Sequence, residues 1–117
     1  MRPIRFEFAS ILECSLSELW AFHTRPDALE LLSPPGTQVA DRGQGVAEGS
    51  IVTLRLGWWP VTLRWVALHT GVTPPTSFTD VALESPFRFW VHQHLLEPLG
   101  GDATRLRDVV HVVPPGW

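Results

Sequence analysis

Lysine is missing from this chain: all nine basic residues are arginine, and twelve carboxylates set against them give a net charge of −3. That balance lacks the basic footprint that nucleic acid or an anionic membrane surface requires, so neither is an expected partner. Cysteine is almost missing as well. Cys14 stands alone, which rules out an internal disulfide and suits either a reducing compartment or a packed thiol. No apolar run approaches the ~20 residues that cross a bilayer. The start, Met1-Arg2-Pro3-Ile4, passes directly into a strand pattern where a signal peptide would place an apolar core. A cytoplasmic protein with no membrane span is the expectation. Internal repeats, low-complexity segments and a dividing linker are also lacking.

What remains is a chain of 117 residues, 44% hydrophobic and 18% charged. That composition suits one packed domain, residues 1–117, rather than a disordered segment. At this length a domain buries roughly two-thirds of its unfolded surface.

Residues 4–13 alternate, with Phe6, Phe8 and Ser10 opposed to Arg5, Glu7 and Ala9, and predict a first strand. Ser15 followed by Glu18 has the spacing of a capping box. Leu16, Leu19, Trp20 and His23 then recur at helical spacing, so one stripe faces inward. A second short helix is predicted from Pro26 and Asp27, with Leu29 and Leu32 as its inner edge. It must stop at Ser33-Pro34-Pro35-Gly36, because proline cannot continue the hydrogen-bond ladder.

Beyond that stop the pattern is of strands: 37–41, 50–56, 61–70, 76–83, 87–96 and 103–113, joined by Gly/Pro-rich or polar turns. Gly43-x-Gly45 lacks the strand-turn-helix setting of a phosphate cradle and reads as a turn. In 61–70, Trp65, Ala67 and His69 share a face. In 87–96, Arg88, Trp90, His92, His94 and Leu96 fall on one side and Phe87, Phe89, Val91, Gln93 and Leu95 on the other. Both sides carry apolar groups, so alternation does not choose the inner one. The predicted class is α+β, a curved antiparallel sheet of six to seven strands with two short helices after the first strand.

Several pieces, in order, carry a family likeness: Trp20-Ala21-Phe22-His23-x-Arg25-Pro26-x-Ala28-Leu29-x-x-Leu32-x-Pro34-Pro35, Trp65-x-Ala67-x-His69, Phe78-x-Asp80, Pro86-Phe87-x-x-Trp90-x-His92-x-His94 and Thr104-x-Leu106-x-Asp108-x-Val110. Together they resemble the START-like (SRPBCC) superfamily, within it the polyketide cyclase/dehydrase-like ligand-binding domains, including those joined to epimerase-like proteins. The resemblance spans nearly the whole chain. It implies a helix-grip fold, in which the sheet grips a long C-terminal helix around a hydrophobic cavity. The sequence departs from this at Pro114-Pro115-Gly116-Trp117, where that helix would begin, so it is expected to be absent or truncated.

The resemblance implies a small hydrophobic ligand, lipid- or polyketide-like, and no cofactor. Trp65, Phe78, Asp80, Trp90, His92 and His94 are the expected lining, with aromatics giving apolar contact and the polar three orienting the ligand. If the hairpin through 97–102 pairs Leu96 with Thr104, His92 lies opposite Asp108, which would brace the imidazole between strands. Three alternatives accompany this reading. A cyclase- or dehydratase-like enzyme would use His92, His94 and Asp80 as acid–base groups; no elbow or local motif supports a nucleophile. A metal would need His92 and His94 with Asp80, Asp108 or His111 as a third ligand, and no metal is the expectation. Third, an uncovered concave face would favour a homodimer. His23 and His69 are expected to be helix-sheet or surface histidines, and Trp58-Trp59 a rim feature.

Overall fold

The computed structural model describes residues 2–58 and 60–116. Met1, Trp59 and Trp117 lie outside it, and with Trp59 one half of the expected rim pair.

Strand β1 (Ile4–Leu12) leads into helix α1 (Leu16–His23), then α2 (Ala28–Leu32), and six strands follow: β2 (Thr37–Asp41), β3 (Ile51–Trp58), β4 (Val61–Thr73), β5 (Ser77–Glu84), β6 (Phe89–Gly100) and β7 (Ala103–Val113). All seven strands form one antiparallel sheet in the order β1-β7-β6-β5-β4-β3-β2. This is the expected α+β architecture. No helix follows β7 among the described residues, and none of the described helices is long and apolar enough to cross a membrane.

The capping box forms as the spacing predicts: Ser15 accepts from the Glu18 amide while the Glu18 side chain accepts from the Ser15 amide. Helix α1 then packs on β6 and β7, burying Leu19 and His23. Thr104, fully buried, donates from Oγ1 to the Cys14 carbonyl at 2.8 Å and so ties β7 to the turn that launches α1. Helix α2 begins at Ala28, two residues after the start expected at Pro26. Asp27 is the N-cap but makes no side-chain cap bond, because its carboxylate is held by Arg25 at 2.7 and 2.9 Å.

Register shifts interrupt the ladders at residues 39–41, 66–67, 70–73 and 98–100. Such bulges bend a strand and increase its twist, which is how the sheet becomes concave. The last shift also corrects the expected hairpin. β6 and β7 stay paired as far as Gly100 and Ala103, so Leu96 pairs with Leu106 and not Thr104, and His94, not His92, is opposite Asp108. The slip is two residues. Since side chains alternate with period two, it moves every pair along the strands but leaves each residue on its expected face.

Candidate functional site

The inner face of the sheet and the two helices enclose a cavity of about 720 Å³. Phe78, Asp80, Trp90, His92, His94, Leu106, Asp108 and Val110 form its floor on β5, β6 and β7; Phe8 and His69 flank them; His23, Ala28, Leu29 and Leu32 form the opposite wall; residues 42–46 close one side. The Trp90/His92/His94 side of β6 is therefore the inner one. Phe87 departs from the predicted alternation. Residues 85–88 bend before β6 begins, and the Phe87 ring packs against both Trp65 (6.0 Å) and Trp90 (5.1 Å).

The register places two transverse rows on this floor. One runs His69–Asp80–His92–Val110 and the next Phe78–His94–Asp108–Phe8. Within each row of this board an acid lies next to an imidazole, and the shortest bonds run along its diagonals: His94 Nε2 to Asp80 Oδ2 at 2.7 Å and His92 Nε2 to Asp108 Oδ1 at 2.9 Å. Along the rows the contacts are longer, 3.4 Å from His94 Nδ1 to Asp108 Oδ1 and 3.9 Å from His92 Nδ1 to Asp80 Oδ2. His92 and Asp108, expected to be directly opposed, are instead bonded across a diagonal.

His94 is the most enclosed member. Its ring stacks on Phe78 at 4.1 Å and on His92 at 3.8 Å, and both nitrogens face carboxylates. Burial works against charge on this ring, yet bonding to Asp108 and Asp80 outweighs it and raises the pKa above the usual histidine value. Burial likewise opposes charge on Asp108, but the bonds from His92 and His94 hold its carboxyl far below the usual range. His69 behaves in the opposite way. It is 5% exposed, burial pushes its pKa down despite the nearby Asp80, and its Nδ1 has no hydrogen-bond partner.

The aromatic residues are arranged around two centres. Phe78 meets Trp20, His23 and His69 at 5.9–6.0 Å besides its stack on His94. Trp65 meets Trp90 edge-on at 5.2 Å. Of the six residues expected to line the cavity, Phe78, Asp80, Trp90, His92 and His94 do so; Trp65 is buried behind Trp90. His69 and His23, expected to be helix-sheet or surface histidines, are cavity residues as well as buried ones. For His69 the signal was present, since it shares its strand face with Trp65 and Ala67. Helix α2 meets the β2–β3 connection through Arg42, which bonds Glu30 with both terminal nitrogens and the Pro26 carbonyl with one. Gly43 follows at φ +53°, where a Cβ would collide with the Ile51 carbonyl, so glycine is required for this loop to lie on the cavity's edge.

Asp80, His92 and His94 each bring one ligand atom within 4.8 Å of the others. The two rings stack at 25° with centroids 3.8 Å apart, which puts their in-plane lone pairs in two offset, nearly parallel planes. A shared ion needs those lone pairs to converge, so the arrangement fits the hydrogen-bonded board better than a metal centre. His111, weighed as a third ligand, is on the other face of β7, adjacent in sequence to the inward Val110.

No protein-family profile and no curated protein sequence matches the chain. Solved structures do. The ZhuI aromatase/cyclase from Streptomyces sp. R1128 superposes with a TM-score of 0.77 at 15% identity, covering 98% of this chain and 70% of that one. Ginseng major latex-like protein 151 from Panax ginseng gives 0.71 at 12% identity, with 97% and 80% covered. A nucleoside-diphosphate sugar epimerase from Corynebacterium glutamicum gives 0.76 at 25% identity, matching 90% of this chain to 24% of that much longer one. The chain has the sheet and paired short helices of the START-like, helix-grip fold.

Proposed function

We propose that this chain binds a small, largely apolar molecule in the cavity between its curved sheet and its two short helices. The observation that carries this is the cavity itself: about 720 Å³, lined by apolar and aromatic side chains together with polar groups, among them Asp80, His92, His94 and Asp108 on the floor, a construction suited to a ligand site. Phe78 and Trp90 give the ligand apolar contact, Trp65 holds Trp90 from behind, and Asp80 and His92 orient it, with His94 fixing both. Native mass spectrometry of the purified protein tests this: a retained organic mass, or one-to-one uptake from a panel of apolar ligands, is expected. Binding no ligand from such a panel would contradict it.

The His92–Asp108 bond supports a second reading, acid–base catalysis of the cyclase or dehydratase kind. With Nε2 donating to Asp108, Nδ1 of His92 is free to accept a proton from a substrate. In that reading His92→Ala abolishes turnover of an identified substrate while ligand affinity persists; unchanged turnover would exclude it.

A further inference from the structure

We propose that the ligand of this cavity carries a primary ammonium group, held between Asp80 and His92 with its apolar body lying along Trp90 and Phe8. This rests on the cavity being the binding site, and adds the chemical class of what it takes.

His94 has no vacant edge for a ligand, because both nitrogens face carboxylates and both ring faces are stacked. His92 differs. Its Nε2 is committed to Asp108, while Nδ1 is 3.9 Å from Asp80 Oδ2, too far for a bond between them. Two acceptors that face the same space without satisfying one another match a group that donates two hydrogens. A nitrogen about 2.9 Å from each would see them at about 85°, so that each N–H points within about 12° of its acceptor. An ammonium meets this; a carbonyl or carboxylate, which only accepts, does not.

Charge agrees with geometry. Two carboxylates, Asp80 and Asp108, meet on this floor, and the two guanidinium groups that line the cavity, Arg25 and Arg42, are each paired with an acid elsewhere, Asp27 and Glu30. His69, next to Asp80 in the same row, adds no positive charge, since burial favours its neutral form. Its Nδ1 is a further buried polar atom with no hydrogen-bond partner, next to Asp80 in the row. The Trp90 and Phe8 rings that line the cavity beside this row suit a cation that is partly desolvated.

The experiment is isothermal titration of the intact chain with three ligands of one shape: tryptamine, 3-propylindole and indole-3-propionate. Tryptamine is expected to bind at least ten-fold more tightly than either of the others, and Asp80→Asn to abolish that preference. A wild-type measurement guards against a variant that fails to fold. The groups around His94 are Asp80 on β5, Asp108 on β7, His69 on β4, His92 beside it and His23 on α1. As pH rises through its raised pKa, His94 loses its charge and tryptamine affinity should increase, until the amine itself deprotonates near pH 10. Equal affinity for tryptamine and 3-propylindole would overturn the ammonium proposal and leave the cavity reading standing. If neither ligand binds, and the neutral dye Nile red does not bind either, the cavity reading falls and this one with it. Stoichiometric Zn²⁺ binding that tryptamine cannot displace would overturn the proposal in favour of a metal centre.

Discussion

His94 Nε2 reaches Asp80 Oδ2 at 2.7 Å across a strand diagonal, although the residue directly opposite His94 on β5 is Phe78. The carboxylate is reached sideways because the Phe78 ring lies flat on the imidazole, which leaves the edge of His94 free to turn toward its diagonal neighbour. Stacking and hydrogen bonding thereby use different parts of one ring, and the result is a fixed board of two acids and two imidazoles.

This arrangement makes stability depend on pH at both ends. The raised pKa of His94 contributes stability that is fully present below the unfolded-state value of about 6.5 and is lost as pH rises through the folded value. Asp108, with a depressed pKa, contributes stability present above about pH 4 and lost as pH falls toward its folded value. Thermal melts of wild type should therefore fall on the alkaline side above pH 6.5, and His94→Phe should flatten that slope without altering the acid limb's direction. An unchanged alkaline slope in the variant would show that His94 is not its source.

Removing an acid should cost more than its exposure suggests. Asp80→Ala leaves the His94 Nε2–H without an acceptor, a loss of about 1–3 kcal/mol in denaturant unfolding. A double-mutant cycle with His94→Ala should return a coupling of about 0.5–3 kcal/mol. Additive effects would mean that the 2.7 Å contact contributes little.

Phe78 and Phe8 offer a sharp contrast from the two ends of one row. Phe78 is 4% exposed and touches four other rings, so Phe78→Ala should lose about 3–5 kcal/mol. Phe8, 61% exposed, should lose under about 1 kcal/mol on the same substitution. Equal losses would contradict the packing described.

Ser15→Ala removes the hydroxyl that accepts from the Glu18 amide at 3.2 Å and should lower stability by about 1 kcal/mol. Ser15→Asp should largely retain it. A neutral alanine variant would indicate that α1 is held by packing alone.

Much of this was legible in the chain itself, for reasons that can be traced to particular residues. The capping box and the inward placement of Leu19 and His23 depend on spacing within one helix, and spacing is written in the sequence. So is the sharing of a face by Trp90, His92 and His94. The choice between the two faces of β6 was not, because Phe89, Val91 and Leu95 are as apolar as the inner set. The register was missed by two residues because the ladder interruption at 98–100 depends on Gly100 adopting φ +90°, which glycine permits but does not announce. Trp65 shares the inner face by alternation, yet whether it reaches the cavity depends on Trp90 standing in front of it. Arg42 and Glu30 meet across twelve residues only because α2 folds back on the β2–β3 connection, and no local pattern encodes that.

The central claim is that the space between sheet and helices is a ligand site, and filling it tests that claim most directly. Leu29 lines the cavity from α2, and Leu29→Trp would place an indole in it. Titrating Nile red into wild type and this variant should give saturable one-to-one binding in wild type and at least ten-fold weaker binding in the variant, with the melting temperature little changed. Equal binding by the two proteins, or fluorescence that rises without saturating in both, would contradict it.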